Sequence, residues 1–369
     1  MLSPPAILQL LPALDAGGVE RGTLEIAEAI QAAGYRALVA SAGGRLVPAL
    51  EALGARHIAL PLATKSPLGI WRNAAALARL ARAEGVAIIH ARSRAPAWSG
   101  LLAARRSGAH FVTTYHGTYG EGFPGKRLYN SVMARGERVI AISRHIAEHV
   151  AATHGVASRI IPRGVDLRRF DPALVAPERV MALRAAWDLP QGAPILLLPA
   201  RLTRWKGQGV LIEALAELPG AIAVLAGDAQ GREGYVQELR ALAAARGVAE
   251  RIRLPGHVAD MPAALLTADV VVHASIEPEA FGRTVIEAQA MRRLVIAADL
   301  GGPRETVVDD VTGWLTPPGD APALAARIRA ALAVPPEARA AMGEAARQGV
   351  PTMEAMQAAT IALYRELLE

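Results

Sequence analysis

The segment Glu277–Glu287 carries the residues whose types and spacing point most directly to chemistry. Glu279 and Glu287 stand eight positions apart, on either side of Phe281-Gly282. The segment follows an apolar stretch, Val270–His273, that predicts a strand, and it leads into a predicted helix. A helix start offers backbone N–H groups to an anion, and carboxylates accept hydrogen bonds from sugar hydroxyls. The pattern suggests a phosphate flanked by hydroxyl-bearing rings, although spacing alone favours an ordinary helix start with an acidic residue near its cap.

A basic turn, Arg201–Gly207, lies at the predicted carboxyl end of another strand, Pro194–Pro199. It holds Arg201, Arg204 and Lys206. A guanidinium binds phosphate oxygens as a fork and an ammonium binds them as a point charge, so this turn suits a diphosphate. Any one such turn is more often a solvated surface feature. Both clusters, however, fall at strand ends of one predicted domain, where a single ligand could contact both.

Further motifs follow strands in the first half of the chain. Gly17-Gly18 comes after the predicted strand Ala6–Leu11, and paired glycines allow close approach to the backbone. His116-Gly117 ends another predicted strand, where a histidine can face a ligand, although a lone histidine is more often structural. Arg92 and Arg94 follow a third strand and indicate an anion site.

The chain has no cysteine, which excludes disulfides, thiolate nucleophiles and cysteine-based zinc sites. It also lacks an Asp-x-Asp pair, which would hold a divalent ion on a diphosphate, and the H-E-x-x-H, G-x-S-x-G and protein-kinase motifs. We therefore expect no metal site.

Repeated strand–helix units must position these residues. Short apolar strands alternate with amphipathic helices up to about residue 166, and the rhythm restarts at Pro194. Continuous apolar strands are typical of parallel sheets covered on both faces. The pattern predicts an α/β fold of two doubly wound, Rossmann-like domains facing across a cleft. We place the first at 1–170 and the second at 171–351, because Pro162, Gly164, Pro172 and Pro177 mark a boundary or linker.

Length and composition agree with two globular domains. The chain has 369 residues, of which 52% are hydrophobic and 20% charged, so a disordered protein is excluded. Its net charge of +6 is unevenly spread. Residues 1–170 hold 21 Lys and Arg against 10 Asp and Glu, an excess of +11, whereas the rest of the chain carries −5. The two domains should therefore meet different partners.

Taken together, these motifs resemble those of the retaining nucleotide-sugar glycosyltransferases of family four, which have the GT-B fold. Glu279 and Glu287 match the family's E-x7-E motif, Arg201 and Lys206 match its donor-diphosphate pair, and His116-Gly117 matches its acceptor-side motif. Further matches occur in family order along almost the whole chain: they are Gly17-Gly18, Pro162–Asp166, Gly256 with Val258, Gly301–Glu305 and Thr312-Gly313.

The resemblance implies a donor, a GDP- or UDP-linked nucleotide diphosphate sugar, in the C-terminal domain, with no cofactor and no metal. Glu287 would hold ribose hydroxyls, and Glu279, in a catalytic role, donor-sugar hydroxyls. Arg201, Lys206 and backbone groups at Phe281-Gly282 would hold the diphosphate. The remaining donor-binding residues would be Gly256 and Val258 at the base and Gly17 and Gly18 at the phosphates.

The resemblance also implies an acceptor side. His116 would lie beside the donor sugar and the acceptor in a catalytic role, and front-face attack would retain the configuration without a protein nucleophile. Ser93–Trp98 and Lys126–Asn130 resemble proteobacterial transferases of the lipopolysaccharide core, which favours an anionic glycan or glycolipid acceptor and transfer of mannose. The acceptor-binding residues would be Arg92, Arg94, Lys126 and Arg127.

The expected location is the cytoplasm, with peripheral contact to the cytoplasmic face of the inner membrane. Met1–Pro5 shows no targeting signal, and no apolar run is long enough to span a bilayer. Basic residues of the first domain would meet an anionic surface. The terminal helix, residues 352–369, would return to the first domain, as it does in the family.

Other classes of function stay open. A nucleotide-sugar 2-epimerase of the same fold would need no acceptor, and a transferase could act on a soluble one. A two-lobed solute-binding protein is not expected, because it would need an export signal and the sequence shows none. A nucleic-acid binder, suggested by a pI of about 10.0, is not expected, because aromatic residues make up only 4% of the chain. A catalytically idle GT-B protein would not be expected to keep Glu279, Glu287, Arg201 and Lys206.

Overall fold

The computed structural model describes residues 4–15, 17–120, 122 and 125–369. They form two compact units, one of residues 4–163 with Met353–Glu369 and one of Gly164–Thr352. Met1–Ser3, part of the stretch searched for a targeting signal, lie outside the described residues.

The first unit is built on a seven-stranded parallel sheet. Its strands are β1 Ala6–Leu10, β2 Arg36–Ser41, β3 Arg56–Ala59, β4 Val86–Ala91, β5 His110–Tyr115, β6 Arg138–Ala141 and β7 Arg159–Ile160. Its helices before residue 163 are α1 Gly18–Ala32, α2 Val47–Ala52, α3 Pro67–Ala83, α4 Arg94–Ser107, α5 Lys126–Asn130 and α6 Arg144–His154. The strand order is β3-β2-β1-β4-β5-β6-β7.

The second unit is built on a six-stranded parallel sheet. Its strands are β8 Ile195–Pro199, β9 Ile222–Ala226, β10 Ile252–Arg253, β11 Val270–His273, β12 Leu294–Ala298 and β13 Trp314–Thr316. Its helices are α7 Pro177–Ala186, α8 Gln208–Leu215, α9 Glu233–Ala245, α10 Met261–Thr267, α11 Arg283–Ala290, α12 Ala321–Ala333 and α13 Pro336–Gly349. The strand order is β10-β9-β8-β11-β12-β13.

The central strands form the cores of both units. All five residues of β1 and all five of β8 are buried, as continuous apolar strands between helices must be. The last helix, α14 Met353–Leu368, packs on α1 of the first unit and buries Leu363 and Tyr364 completely. The prediction of an α/β fold with two parallel-sheet units is therefore confirmed.

The strand order reverses once in each sheet, between β1 and β4 and between β8 and β11. Loops diverge at such a point, and ligands of open α/β sheets bind there beyond the carboxyl ends of the strands. In the first unit the reversal is followed by Gly17-Gly18 and Arg92. In the second it is followed by the segments 200–207 and 274–282. The sheet topology thus collects the motifs of each unit at one edge.

The chain leaves the first unit at residue 163, earlier than the sequence division at 170. Val165 N donates to Pro351 O over 3.0 Å, and Arg347 Nη1 donates to Phe170 O over 2.6 Å. These bonds tie the proline-rich segment to the end of the second unit. None of the helices within the described residues is long and apolar enough to cross a membrane.

Candidate functional site

The turn after β8 places Lys206 in the interior of the second unit. Arg204–Lys206 form one 3-10 turn, and Lys206 is only 9% exposed. Gly207 follows with φ of +73°, and a side chain there would collide with the carbonyl of Ala274. This left-handed glycine lets the turn lie directly against the segment after β11.

Lys206 meets Glu279 at this edge of the sheet. Lys206 Nζ lies 2.7 Å from Glu279 Oε2, and His273 Nε2 lies 2.5 Å from the same oxygen. Ser275 Oγ lies 3.2 Å from His273 Nε2 and 3.4 Å from Glu279 Oε2. The Lys206 ammonium also lies 4.2 Å from the centre of the Trp205 ring. We call Lys206, His273, Ser275 and Glu279 the carboxylate cluster.

The electrostatics of the cluster keep Glu279 ionised. Burial alone would raise the pKa of Glu279, but the hydrogen bond and charge of His273, together with the Lys206 ammonium, outweigh burial. They hold the pKa of the Glu279 carboxyl well below its usual range. The cluster therefore offers an ionised acceptor and a cation side by side, which suits a ligand that carries both hydroxyls and negative charge.

Two glycines hold the backbone of Glu279 in place. Gly302 N donates to Glu279 O over 2.7 Å, and Gly301 forms a parallel bridge with Glu279. Gly301 has φ of +67°, and a side chain there would collide with the Glu279 carbonyl. The segment after β12 thereby fixes the loop that carries the carboxylate.

The same loop ends at α11, whose start has no side-chain cap among the residues that the structure describes. Phe281 is buried, and Gly282 precedes the helix in a left-handed conformation with φ of +85°. Glu287 lies one turn into the helix, is only 7% exposed, and has Arg283 Nε 3.6 Å from its Oε1. The helix start thus carries a second buried carboxylate on the segment that follows Glu279.

The other predicted donor residues lie on neighbouring loops. Arg201 is exposed, and its carbonyl accepts a bond from Gln208 Nε2 over 2.9 Å. Arg204 is held by Glu238 at 2.5 Å, and its guanidinium lies 5.4 Å from the centre of the Tyr235 ring. Gly256, with φ of +74°, and Val258 follow β10, and both are half-buried.

His116 of the first unit lies in a second polar cluster. Its Nε2 atom is buried and has no hydrogen-bond partner among the described residues. A small cavity of about 20 Å³ beside it, roughly the room for one water, is also lined by His90, Arg92, Thr114 and Arg163. Polar groups therefore share this confined space with apolar side chains such as Ile140 and Ile161.

Two guanidinium groups of this cluster are buried. Arg92 is 3% exposed, and its Nη1 donates to Gln9 Oε1 over 3.0 Å. Arg163 is 4% exposed and donates to the carbonyl of Gly18, so it fastens the Gly17-Gly18 turn. Arg92 was predicted to bind the acceptor with Arg94, Lys126 and Arg127, but in the structure it lies beneath the surface, because it follows a central strand.

Burial and these charges determine the protonation state of His116. Burial lowers the pKa of His116 well below its usual value, and the charges of Arg92 and Arg163, with His90, lower it further. The ring is therefore neutral at neutral pH, so one of its nitrogens is a donor and the other an acceptor.

The remaining predicted acceptor residues lie on α5 and at the start of α4, which contacts the end of α5. Arg94 Nη1 donates to Asn130 Oδ1 over 2.9 Å, and its guanidinium lies 4.2 Å from the centre of the Tyr119 ring. Arg127 Nη2 donates to Thr153 O over 3.1 Å, and Lys126 begins the helix. These side chains are partly exposed, unlike Arg92.

The residues that the structure describes include no group of three or more His, Asp or Glu side chains placed to hold a metal ion. The absence of a metal requirement stays a prediction.

Comparisons with known proteins bear on both units. Residues 16–169 match the model of "Glycosyltransferase Family 4", and residues 181–349 match "Glycosyl transferases group 1". A glycosyltransferase structure from Rickettsia africae ESF-5 is 36% identical, with 100% of each chain covered and a TM-score of 0.93. The chain belongs to the family 4, group 1 glycosyltransferases. Its two parallel-sheet units are the GT-B fold.

Two further members of the family are informative. The HepE structure from Anabaena, described as a complex with UDP-glucose, is 27% identical, with 98% of this chain and 99% of that chain covered and a TM-score of 0.85. The D-inositol 3-phosphate glycosyltransferase of Salinispora tropica is 30% identical over 350 residues, which are 82% of this chain and 70% of that protein. The matches span about half the length of the first curated relatives.

The sequence did not predict two members of the carboxylate cluster of this family 4 chain, His273 and Ser275. Lys206 and Glu279 were predicted to share a ligand, and they are in contact. His273 was assigned only to a strand, and Ser275 was not considered. A signal was available for His273, because a polar residue that ends an apolar strand just before a ligand loop lies at the edge where ligands bind.

Proposed function

We propose that the protein is a retaining hexosyltransferase that uses a nucleotide diphosphate sugar and an anionic glycan or glycolipid acceptor. The observation that carries the proposal is the carboxylate cluster, a buried ammonium beside an ionised carboxylate at the reversal point of the second sheet. The UDP-glucose complex of the Anabaena family member supports the class of donor.

The donor would contact both ends of the cluster. Lys206 and the exposed Arg201 would hold the diphosphate with the backbone N–H groups at Phe281-Gly282. Glu279 would accept hydrogen bonds from the donor-sugar hydroxyls, and Glu287 from the ribose. Gly256 and Val258 would approach the base.

The contact between Lys206 and Glu279 implies an exchange when the donor binds. The ammonium would turn from the carboxylate to the diphosphate, and the carboxylate from the ammonium to sugar hydroxyls. His273 and Ser275 would keep Glu279 oriented during the exchange, because both contact the same oxygen. The charges are thereby held ready before the substrate arrives, which limits reorganisation during the reaction.

The proposed reaction needs no protein nucleophile. The bond between the anomeric carbon and the leaving phosphate oxygen breaks as an acceptor hydroxyl attacks from the same face. The hydroxyl proton passes to the departing phosphate oxygen, and the Lys206 and Arg201 cations stabilise the negative charge that develops there. Neutral His116 would hydrogen-bond to the acceptor, for which its buried Nε2 has capacity.

The anionic acceptor is supported by charge and by a family member. Residues 1–170 carry an excess of +11, and the Salinispora protein is named for a phosphorylated acceptor. Arg94, Lys126 and Arg127 are the accessible candidates to bind it. Transfer of mannose from GDP-mannose to the lipopolysaccharide core is the finer form of the proposal. It places the enzyme in the cytoplasm, peripheral to the inner membrane.

A donor-binding experiment tests this proposal. Calorimetry with UDP-, GDP- and ADP-sugars in EDTA should show binding of one class without a divalent metal. Lys206→Ala should weaken binding about 10- to 100-fold, the range expected for lost hydrogen bonds to a charged group. Arg204→Ala is the matched control, since that cation lies in the same turn but pairs with Glu238.

Three outcomes would contradict the proposal. They are no binding of any nucleotide sugar, binding that requires added metal, or equal effects of Lys206→Ala and Arg204→Ala. Release of an altered sugar without any acceptor would instead indicate the 2-epimerase alternative.

A further inference from the structure

The outer surface of α3 and the end of α4 combine exposed apolar and basic side chains. Leu68 is 56% exposed and Trp71 is 55% exposed, both in the first turns of α3. We call this surface the α3–α4 face; its exposed residues are Lys65, Leu68, Trp71, Arg72, Arg79, Arg82, Arg105 and Arg106.

The α3 part of the face is one continuous stripe. The stripe begins at Leu68 and continues at three, four, eleven and fourteen positions further along, which is one side of a helix. Its other members are Trp71, Arg72, Arg79 and Arg82. The opposite side packs inward, with Asn73, Ala74, Leu77, Ala78 and Ala81 buried. The helix thus already has its core contacts, and the exposed Trp and Leu are additional to them.

The α4 part contributes cations beside the tryptophan. The Arg106 guanidinium lies 5.6 Å from the centre of the Trp71 ring, and Arg82 Nη1 donates to Arg106 O over 2.9 Å. The exposed cations of the face are Lys65, Arg72, Arg79, Arg82, Arg105 and Arg106, and neither helix contains Asp or Glu. The face is therefore strongly positive around a pair of large apolar side chains.

We propose that the α3–α4 face docks the protein on an anionic lipid bilayer. Tryptophan favours the interface between headgroups and acyl chains, and basic side chains near an anionic surface attract its lipids. A helix lying in that plane would bury Leu68 and Trp71 while the arginines meet lipid phosphates. A second copy of this chain is a poorer partner, because it would bring like charges together.

This inference deepens the peripheral membrane contact of the proposed function and rests on it, but it uses other residues than the acceptor candidates. Arg92 is buried in the His116 cluster, and Arg94 contacts Asn130 and Tyr119. The docking face can therefore be altered without touching either cluster.

Flotation with lipid vesicles tests the docking face. Vesicles of phosphatidylcholine containing about 30% phosphatidylglycerol should carry the protein upward, whereas pure phosphatidylcholine should not, because the attraction requires anionic lipid. Arg72→Gln with Arg106→Gln should lower the partition coefficient about 25-fold, at about fivefold per charge. Trp71→Ser should also lower it, and salt should weaken binding of the wild type.

Matched controls come from the second unit. Met181→Ser removes an apolar side chain that is 57% exposed, and Arg240→Gln removes an exposed arginine. Neither should change flotation. Melting temperature and donor binding, measured on the same samples, show that the variants are folded and separate this inference from the proposed function. The inference is overturned if wild type does not float, floats equally with both lipids, or responds to the controls as it does to the α3–α4 variants.

Discussion

Glu279 shows how single residues combine at this site. One oxygen of its carboxylate contacts a lysine from another loop. The same oxygen contacts a histidine and a serine that precede Glu279 in its own segment. Burial alone would favour the neutral acid, and the opposing charges reverse that preference. The same interactions that prepare the carboxylate for hydroxyls therefore also stabilise the fold.

The lowered pKa of Glu279 makes a pH-dependent prediction. A carboxylate whose pKa falls on folding stabilises the protein fully above its usual value of 4.5, and this contribution is lost as the pH falls through the folded value. Glu279→Gln should lower the free energy of unfolding at pH 7 by about 1–3 kcal/mol. The difference from wild type should shrink as the pH falls from 5 toward 3. Denaturant titrations at several pH values measure it.

Glu238→Gln is the control for this prediction. Its carboxylate pairs with Arg204 at the surface, with a side chain that is 53% exposed, so the expected cost is about 0–1 kcal/mol. A Glu279→Gln cost that stays constant across the pH range would contradict the linkage.

At the scale of elements, glycines decide how closely the ligand-bearing loops approach one another. Gly207 lets the β8 turn contact the segment after β11, and Gly301 lets the β12 turn contact Glu279. Both have a positive φ, and a side chain at either position would collide with a neighbouring carbonyl. The loops after β8, β11 and β12 are thereby held as one rigid support for the carboxylate cluster.

Gly301→Ala tests this support. The substitution meets both an unfavourable φ and a collision with Glu279 O, so we expect a loss of about 2–4 kcal/mol in stability and weaker donor binding. Gly231→Ala is the control, because Gly231 has φ of +79° but no atom within 4 Å of an added side chain. It should cost about 1–2 kcal/mol and leave donor binding unchanged. Calorimetry measures donor affinity. Equal losses of stability and of donor affinity in the two variants would refute the role of Gly301.

At the scale of the whole molecule, the first unit is assembled from two distant parts of the chain. The terminal helix α14 places Tyr364 fully inside this unit, where its hydroxyl lies 2.6 Å from His90 Nδ1. His90 Nε2 in turn lies 2.7 Å from Thr114 Oγ1. The end of the chain therefore completes the polar cluster around His116.

Substitutions at Tyr364 measure what the terminal helix contributes. Tyr364→Phe keeps the ring and removes one buried hydrogen bond, so it should cost about 1–2 kcal/mol. Tyr364→Ala also leaves a cavity and should cost about 3–5 kcal/mol. Thermal and denaturant unfolding compare the two variants. A similar, small loss for both would mean that α14 contributes little to the stability of the first unit.

The sequence by itself determined the class of fold and the outline of one site. Strand–helix alternation with fully apolar strands permits few arrangements other than parallel sheets, and the Glu279 and Lys206 motifs follow strands that pack together. It did not reveal β3, β7 or β13. These short strands lie at or near the sheet edges, and β3 and β7 expose polar residues, so they lack the apolar run of a central strand.

Only the tertiary structure decided which side chains share an environment. His90 and Tyr364 lie 274 positions apart in sequence and are hydrogen-bonded, and Arg92, predicted to bind the acceptor, is buried. Such contacts depend on strand order and on backbone conformations such as that of Gly301, which local patterns do not encode. The chemistry of individual loops can therefore be predicted from the sequence. The electrostatic environment of each group is set by the distant parts of the chain that fold against it.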